Sequence, residues 1–394
     1  MWLEIVEAMF SEKISTELIS FFILYGITGV VPLVAALYLL LRRSNAFAPD
    51  VTPPMRLRRW AASFFMVSAL GHVLWYLFLV YSDDIHSASY VVVAVIDCVG
   101  MMVTIAGTLL SMLQDRRRPV WPVVAALMPY AAIAALYIFY PDESCLSIAI
   151  GYILVLYVLL TIYVAFGVRQ YGRWLRDNYA DLERKEVWRS QVLMLVFMLL
   201  FILYALVDMK TTLLFLLHFV ELVLFSFLLW RVETLPLLEC SSNEQACSPP
   251  PDQAIDLPPS AEGTQESDSA TEGKQTQAVP STVIQQLLDE RCVATQLYLQ
   301  HDLTLQQLAA AVGINRFYLS QFFSRHGMTY NAYINDLRVN HFVCLYSEAV
   351  TTRQPITAQQ LAYDSGYRSY STFSLAFKQR MGVTVTTWVR ETTK

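Results

Sequence analysis

The sequence predicts an all-α chain: a seven-helix transmembrane bundle, a disordered linker, and a soluble all-helical domain with tandem helix-turn-helix units. Three observations predict it. Apolar residues make up 55% of the 394 positions and charged residues only 15%, too apolar for an ordinary soluble domain. The charges are also unevenly placed, since residues 1–231 hold 17 basic and 17 acidic side chains, mostly in short breaks between apolar runs. Residues 232–280 then hold 9 acids and the base Lys274, and residues 281–394 hold 10 bases and 7 acids. The net charge of −5 therefore hides three regions of different character, the last mildly basic.

A bilayer core about 30 Å thick needs about 20 apolar residues in one helix, because no water is present to satisfy an irregular backbone. Seven stretches meet that demand, at residues 18–41, 60–81, 90–113, 120–140, 146–168, 191–207 and 211–230. The last two are separated only by Asp208, Met209 and Lys210, so a tight helical hairpin is the economical reading. Asp208 in that turn reads as solvated. The first apolar stretch is too long for a cleavable signal peptide and lacks a small-residue cleavage site.

Orientation follows from the basic residues of short loops, which concentrate on the cytoplasmic side. One face carries Arg42, Arg43, Arg56, Arg58 and Arg59, then Arg116, Arg117 and Arg118, then Arg169, Arg173, Arg176, Arg184, Lys185 and Arg189. The other carries Lys13 and Lys210 beside Asp83, Asp84, Asp142 and Glu143. The expected arrangement is a multi-pass protein of a bacterial inner membrane, amino terminus outside and carboxyl-terminal domain cytoplasmic. Trp60, Trp121, Trp188 and Trp230 fall at the inner boundary, where interfacial anchors belong.

Four ionisable side chains interrupt the apolar stretches: His72, Asp97, His218 and Glu221. At about 1.5 Å rise per residue all four lie roughly 12–16 Å below the outer boundary. Such residues are costly in lipid and are candidates for sensing. A polar layer of this kind could hold a ligand, respond to pH through a histidine, or bind a cation; interhelical hydrogen bonding that only specifies packing is the plain alternative. The six cysteines show no CxxC pair and no metal-ligand spacing, and Cys145 alone falls in an extracytoplasmic loop, so no intramolecular disulfide is expected there. No cofactor and no metal follow from motif spacing.

The first domain is thus residues 1–238. Residues 239–280 turn abruptly to Ser, Pro, Gln, Glu, Asp and Thr, a composition that cannot bury a core and predicts a disordered acidic tether spanning about 35 Å. Helical periodicity returns over residues 281–394. Val283, Leu287, Leu288, Cys292, Val293 and Leu297 recur at three- and four-residue spacing, as in an amphipathic helix. Thr304 can cap the next helix and Gly313 can end it, with a second helix starting near Asn315. Two helices joined by a Gly-containing turn form a helix-turn-helix pattern, with Leu308, Leu319, Phe322 and Phe323 as the packed side and Ala309 permitting a close crossing. The pattern repeats at Thr357 to Ala362, Gly366, Tyr367, and a candidate recognition helix over 369–379 with Phe373 and Phe377 inward. Residues 330–348 between them are apolar-periodic and suit a helix that holds both units apart.

The order Leu308, Ala309, Gly313, Leu319, Phe322, Phe323, then Gly327, Met328, Thr329, Tyr333, Leu337, Arg338, then Leu361, Ala362, Gly366, Tyr367, Phe373, Ser374, Phe377, Lys378, Gly382 resembles the DNA-binding domain of the AraC/XylS regulators. The resemblance covers about 110 residues. Three positions depart from it: Val385 stands where the family usually has proline, Trp388 where it has tyrosine, and Leu375 where many members have an arginine that contacts DNA. Leu375 weakens the expected base reading of the second unit.

By position in that motif, Arg316, Phe317, Ser320 and Gln321 face DNA bases from the first recognition helix, and Tyr370, Ser371 and Ser374 from the second. Gln321 can pair with adenine, Arg316 with guanine or phosphate, and Phe317 can pack on a thymine methyl. Arg325, Arg338, Arg368, Lys378 and Arg380 suit phosphate positioning. Two recognition helices on one rigid domain would fit successive major grooves about 34 Å apart. The resemblance implies a sequence-specific transcription regulator that is not an enzyme. Expected partners are double-stranded DNA, the lipid bilayer and RNA polymerase, with a small-molecule or proton signal and a homodimer left open. A transporter or receptor with feedback gene control is the alternative, although seven spans do not halve into repeats. The absence of HExxH, GxSxG, a phosphate loop or kinase motifs argues against an intramembrane enzyme or a histidine kinase.

Overall fold

Every long apolar run becomes a helix, and no strand forms among the described residues. The computed structural model describes residues 16–42, 45–81, 88–140, 143–183, 185–206, 211–238, 280–352 and 357–392. The expected linker and the turn at Asp208 therefore lie outside the described residues. The chain divides into two units, residues 1–172 with 184–241, and residues 173–183 with 242–394.

The first unit contains α1 (Thr16–Leu41), α2 (Met55–Tyr81), α3 (Ala88–Met112), α4 (Trp121–Phe139), most of α5 (Glu143–Asn178), α6 (Trp188–Leu206) and α7 (Thr211–Thr234). Six of these, all but α6, are long and apolar enough to cross a membrane. Helix α6 has 19 residues, also the length of a crossing. Seven helices thus stand where seven stretches were expected.

Helix α2 is central, packed against α1, α3 and α7, while α3 also takes α4 and α6. Small residues permit this. A Cβ on Gly107 of α3 would lie 2.2 Å from the Trp60 ring of α2, and one on Gly71 of α2 would lie 2.5 Å from Asp97 Oδ1 of α3. The hydroxyls of Thr28, Thr108 and Ser111 return to carbonyls of their own helices, so these three donors are satisfied within the apolar layer. Ile23, Val34, Val73, Val155 and Phe166 point outward and are more than half exposed. An apolar surface this broad needs an apolar neighbour.

At one end of the bundle a buried ion pair ties three helices. Glu233 of α7, fully buried, meets Arg58 Nε of α2 at 3.2 Å and accepts from Tyr38 of α1 at 3.3 Å. The same Arg58 donates to the carbonyl of Arg42 at 2.6 Å, capping the end of α1. A buried pair gives little net stability, but removing one partner strands the other, so it fixes the register of the three helices.

The second unit contains α8 (Ser281–Leu288), a wide π-turn (Asp289–Val293), a short 3-10 turn (Leu297–Leu299), α9 (Leu305–Val312), α10 (Arg316–Arg325), α11 (Tyr330–Thr352), α12 (Ala358–Asp364), α13 (Tyr370–Met381) and α14 (Val385–Thr392). The expected amphipathic helix over 283–297 is therefore interrupted. Widening the turn at 289–293 buries Cys292 and aims Arg291 at the carbonyl of Val312, 3.0 Å away, where α9 leaves an unpaired acceptor. Burial pushes the Cys292 thiol up to about 11, which makes it a packing residue and not a reactive one.

Local signals set the helix ends as the sequence predicted. Thr304 and Gln307 form a reciprocal capping box, and Gly313 ends α9 at φ +79°. Asn315, Thr357 and Ser369 cap α10, α12 and α13. Two cores result. The first joins Leu288, Leu308, Val312, Leu319, Phe322, Phe323, Tyr330 and Ile334; the second joins Val339, Phe342, Leu361, Tyr367, Phe373 and Phe377. Helix α11 contributes to both, so it fixes the two helix-turn-helix units to one rod. Gly366, at φ +89°, brings the second unit against the first: its carbonyl accepts from His301 at 3.0 Å, and a Cβ there would lie 2.7 Å from the Leu299 carbonyl oxygen.

Candidate DNA interface and its docked segment

Helices α10 and α13 are the second helices of the two units, and both present polar outer faces opposite a buried aromatic side. On α10, Phe317 is 66% exposed, Ser320 is exposed, and Arg316 and Gln321 are half-buried. On α13, Tyr370 and Ser371 are exposed, and Ser374 is half-buried. Leu375 is 61% exposed, an apolar side chain on the face where an arginine would reach DNA. Arg325 and Lys378 are exposed. Arg368 is exposed as well and pairs with Asp302 at 2.7 Å, while Arg380 pairs with Asp336 and donates to Asn340 at 2.9 Å.

Arg338 departs from its expected place. It is fully buried, at 0% exposure, on α11 between the two cores. Its Nε donates to the Tyr298 carbonyl at 2.7 Å, Nη2 to the Gln300 carbonyl at 2.8 Å, and Nη1 to Asp181 Oδ1 at 2.9 Å. Its guanidinium carbon lies 5.4 Å from the centre of the Tyr367 ring. The fork of donors makes it the internal junction of the domain instead of a phosphate contact.

The carboxylate that neutralises Arg338 comes from the segment between α5 and α6. Residues 173–183 fold as part of this unit. Ala180 is buried in the first core, and its N–H donates to the Leu303 carbonyl at 3.2 Å. Asn331 of α11 donates to the carbonyls of Tyr179 and Ala180. Asp181 accepts from the Asp302 N–H at 2.8 Å through its second oxygen. Tyr179 pairs with Thr304 in an isolated antiparallel bridge.

The same segment reaches the start of both recognition helices. Asn178 Oδ1 accepts from Arg316 Nη2 at 2.6 Å, at the first turn of α10. Glu183 Oε2 accepts from the hydroxyls of Ser369 and Thr372, at 2.5 and 3.0 Å, where α13 begins. A helix amino terminus with its free N–H groups and positive dipole end favours an anion, so a DNA phosphate would seek the position this carboxylate takes. Asn178, Asp181, Glu183 and Asn331 were not singled out from the sequence. The legible signal was the presence of acids, Asp177, Asp181, Glu183 and Glu186, among the six bases of residues 169–189.

In the first unit, the expected polar layer converges in part. His218 Nδ1 lies 3.3 Å from Glu221 Oε2, and His72 Nε2 lies 3.8 Å from the same oxygen. Tyr25 of α1 borders both histidines, with ring centroids 5.1 Å from His72 and 5.6 Å from His218, and its hydroxyl donates to the His72 carbonyl at 2.7 Å. Asp97 has its own partner, the Trp75 indole N–H at 2.9 Å, and its carboxylate lies against Gly71, the residue before His72.

Two helix-turn-helix units on one linking helix define a regulatory domain of the DNA-binding kind. A family model described as a helix-turn-helix domain matches residues 281–391, and the domain is of the AraC type. Comparison with curated proteins and with solved structures gave no match.

Proposed function

We propose that the chain is a one-component transcription regulator embedded in a bacterial inner membrane, whose bundle senses a signal and controls its own DNA-binding domain. The observation that carries the reading is the docked segment 173–183. It comprises the end of α5 and the chain that follows, and its Asn178 and Glu183 engage the start of both recognition helices. While it is docked, Arg316 is committed to Asn178 and a carboxylate stands where a phosphate would bind. A change in the bundle that draws on the end of α5 would release both sites for DNA.

On this reading Arg316, Phe317, Ser320, Gln321, Tyr370, Ser371 and Ser374 read bases, and Arg325, Arg368, Lys378 and Arg380 hold phosphates. Sensing falls to the polar cluster of α1, α2 and α7. RNA polymerase and a second copy of the chain are partners for the released domain.

The test is Glu183→Ala, alone and with Asn178→Ala, in the full chain. Glu183 is exposed, so its removal leaves the fold intact. Chromatin capture should recover more bound DNA from both variants than from the parent, without the signal being supplied. Unchanged or reduced recovery would refute masking by the segment. A cytoplasm-active reporter fused after Trp230 should be active, and one fused after Asp84 inactive; the reverse would overturn the topology.

A further inference from the structure

We propose that His72, His218 and Glu221 form a binding site for one divalent transition-metal ion of the zinc class, the signal of the sensory bundle. The proposal rests on reading that bundle as sensory.

Three ligand atoms, one each from His72, His218 and Glu221, all lie within 4.8 Å of one another. In a tetrahedral zinc site, with metal–ligand distances of about 2.0–2.1 Å, neighbouring ligand atoms sit about 3.4 Å apart. The two separations to Glu221 Oε2, 3.3 Å and 3.8 Å, bracket that value. Two imidazoles and one carboxylate are the donor set that borderline cations prefer, and three protein ligands leave a fourth position open.

The orientation of His72 fits the same arrangement. Its Nδ1 lies 2.9 Å from the Ser68 carbonyl oxygen, and its Nε2 is the atom that faces Glu221, at 3.8 Å. A backbone carbonyl that fixes the outer nitrogen of a histidine is also the usual support for a metal-bound imidazole. The surroundings restrict competitors. Phe21 and Tyr25 of α1 pack on His218 with ring centroids 5.6 Å away, which leaves little space for an organic ligand but enough for an ion. The ligands come from α2 and α7, so occupancy would couple two helices that both pack on α1.

The experiment uses the full chain, its affinity tag removed, in nanodiscs, with Zn2+ and Co2+ as the probes. Equilibrium dialysis should show one equivalent of Zn2+ retained, and the Co2+ form should show the intense visible absorption of a four-coordinate site. His72→Ala, His218→Asn and Glu221→Gln should each weaken binding at least about a hundredfold, beyond what loss of a supporting contact does. Tyr25→Phe, which keeps the ring and removes no ligand, should retain the ion and show that the bundle tolerates substitution at this layer. Failure of the parent chain to retain Zn2+, or retention unaltered in all three ligand variants, overturns the metal site. Promoter output that shifts with pH and with these variants, while the parent binds no Zn2+, overturns the metal in favour of a proton and leaves the sensory reading standing.

Discussion

Asp181→Asn tests how the second unit is held together. The substitution keeps the side chain's shape and removes only its charge. In the parent, Asp181 supplies the carboxylate for an arginine with 0% side-chain exposure, and is itself only 6% exposed. Removing one member of a buried ion pair leaves an uncompensated charge, at about 3–5 kcal/mol. The chain can escape that penalty by releasing the segment, which opens Arg338 to water. At about 1.4 kcal/mol per tenfold, the docking equilibrium should move toward release by about a hundredfold or more. Hydrogen exchange on the full chain in nanodiscs reads this directly, because the amides of Ala180 and Asp302 are bonded across the docked contact, to Leu303 and Asp181. Both should lose protection, while the amides of α12 and α13 stay as protected as in the parent. A segment that exchanges as slowly as before would refute the assignment of Asp181 as the clasp. Uniform loss of protection across the unit would show instead that the pair stabilises the whole domain.

Further outcomes follow from the helix-turn-helix geometry. Arg316→Ala with Gln321→Ala should abolish promoter activation and leave membrane insertion unchanged; retained activation would remove α10 as the base reader. Gly366→Ala forces φ +89° on a residue with a Cβ and drives that Cβ into Leu299, so it should lower stability by at least about 2 kcal/mol. Gly382→Ala, with φ +75° but open space around it, should cost about 1 kcal/mol, and equal melting shifts for the two would deny the contact at Leu299. Burial holds the His341 imidazole below its ordinary value of 6.5, with Asp364 opposing. The unfolded chain therefore takes up that proton first as pH falls, and stability present above pH 6.5 should decline as pH drops through 6.5 toward the folded value. His341→Gln should flatten the melting temperature between about pH 7 and about pH 5.5, where histidines titrate.

Much of this protein is written in local signals, which act over a few residues and need no knowledge of the fold. Apolar runs of crossing length foretold the seven long helices, since a helix satisfies its backbone hydrogen bonds within itself. Thr304, Gly313, Thr357 and Ser369 marked helix ends because capping is a contact within one turn. The inward set of Leu319, Phe322, Phe323, Phe373 and Phe377 followed from helical period alone. The wide turn at 289–293 did not, because it answers to an acceptor at Val312, 21 residues away in the chain.

Sequence alone thus determined the all-helical class, the apolar helices and the paired helix-turn-helix units. Tertiary structure decided which polar residues meet. Arg338 looked like a surface cation by its motif position and became a buried junction, because its three acceptor partners lie 38, 40 and 157 residues away. His72 reached Glu221 only because α2 and α7 pack side by side, and Asp97 at similar depth took a different hydrogen-bond partner, Trp75. The segment 173–183 carries no helical period beyond Asn178 and no motif; its place appears only when Asp181 meets an arginine, and Asn178 and Glu183 meet two helix starts, from elsewhere in the chain. Charge pairing over such separations depends on how the elements pack, and spacing along a chain does not encode it.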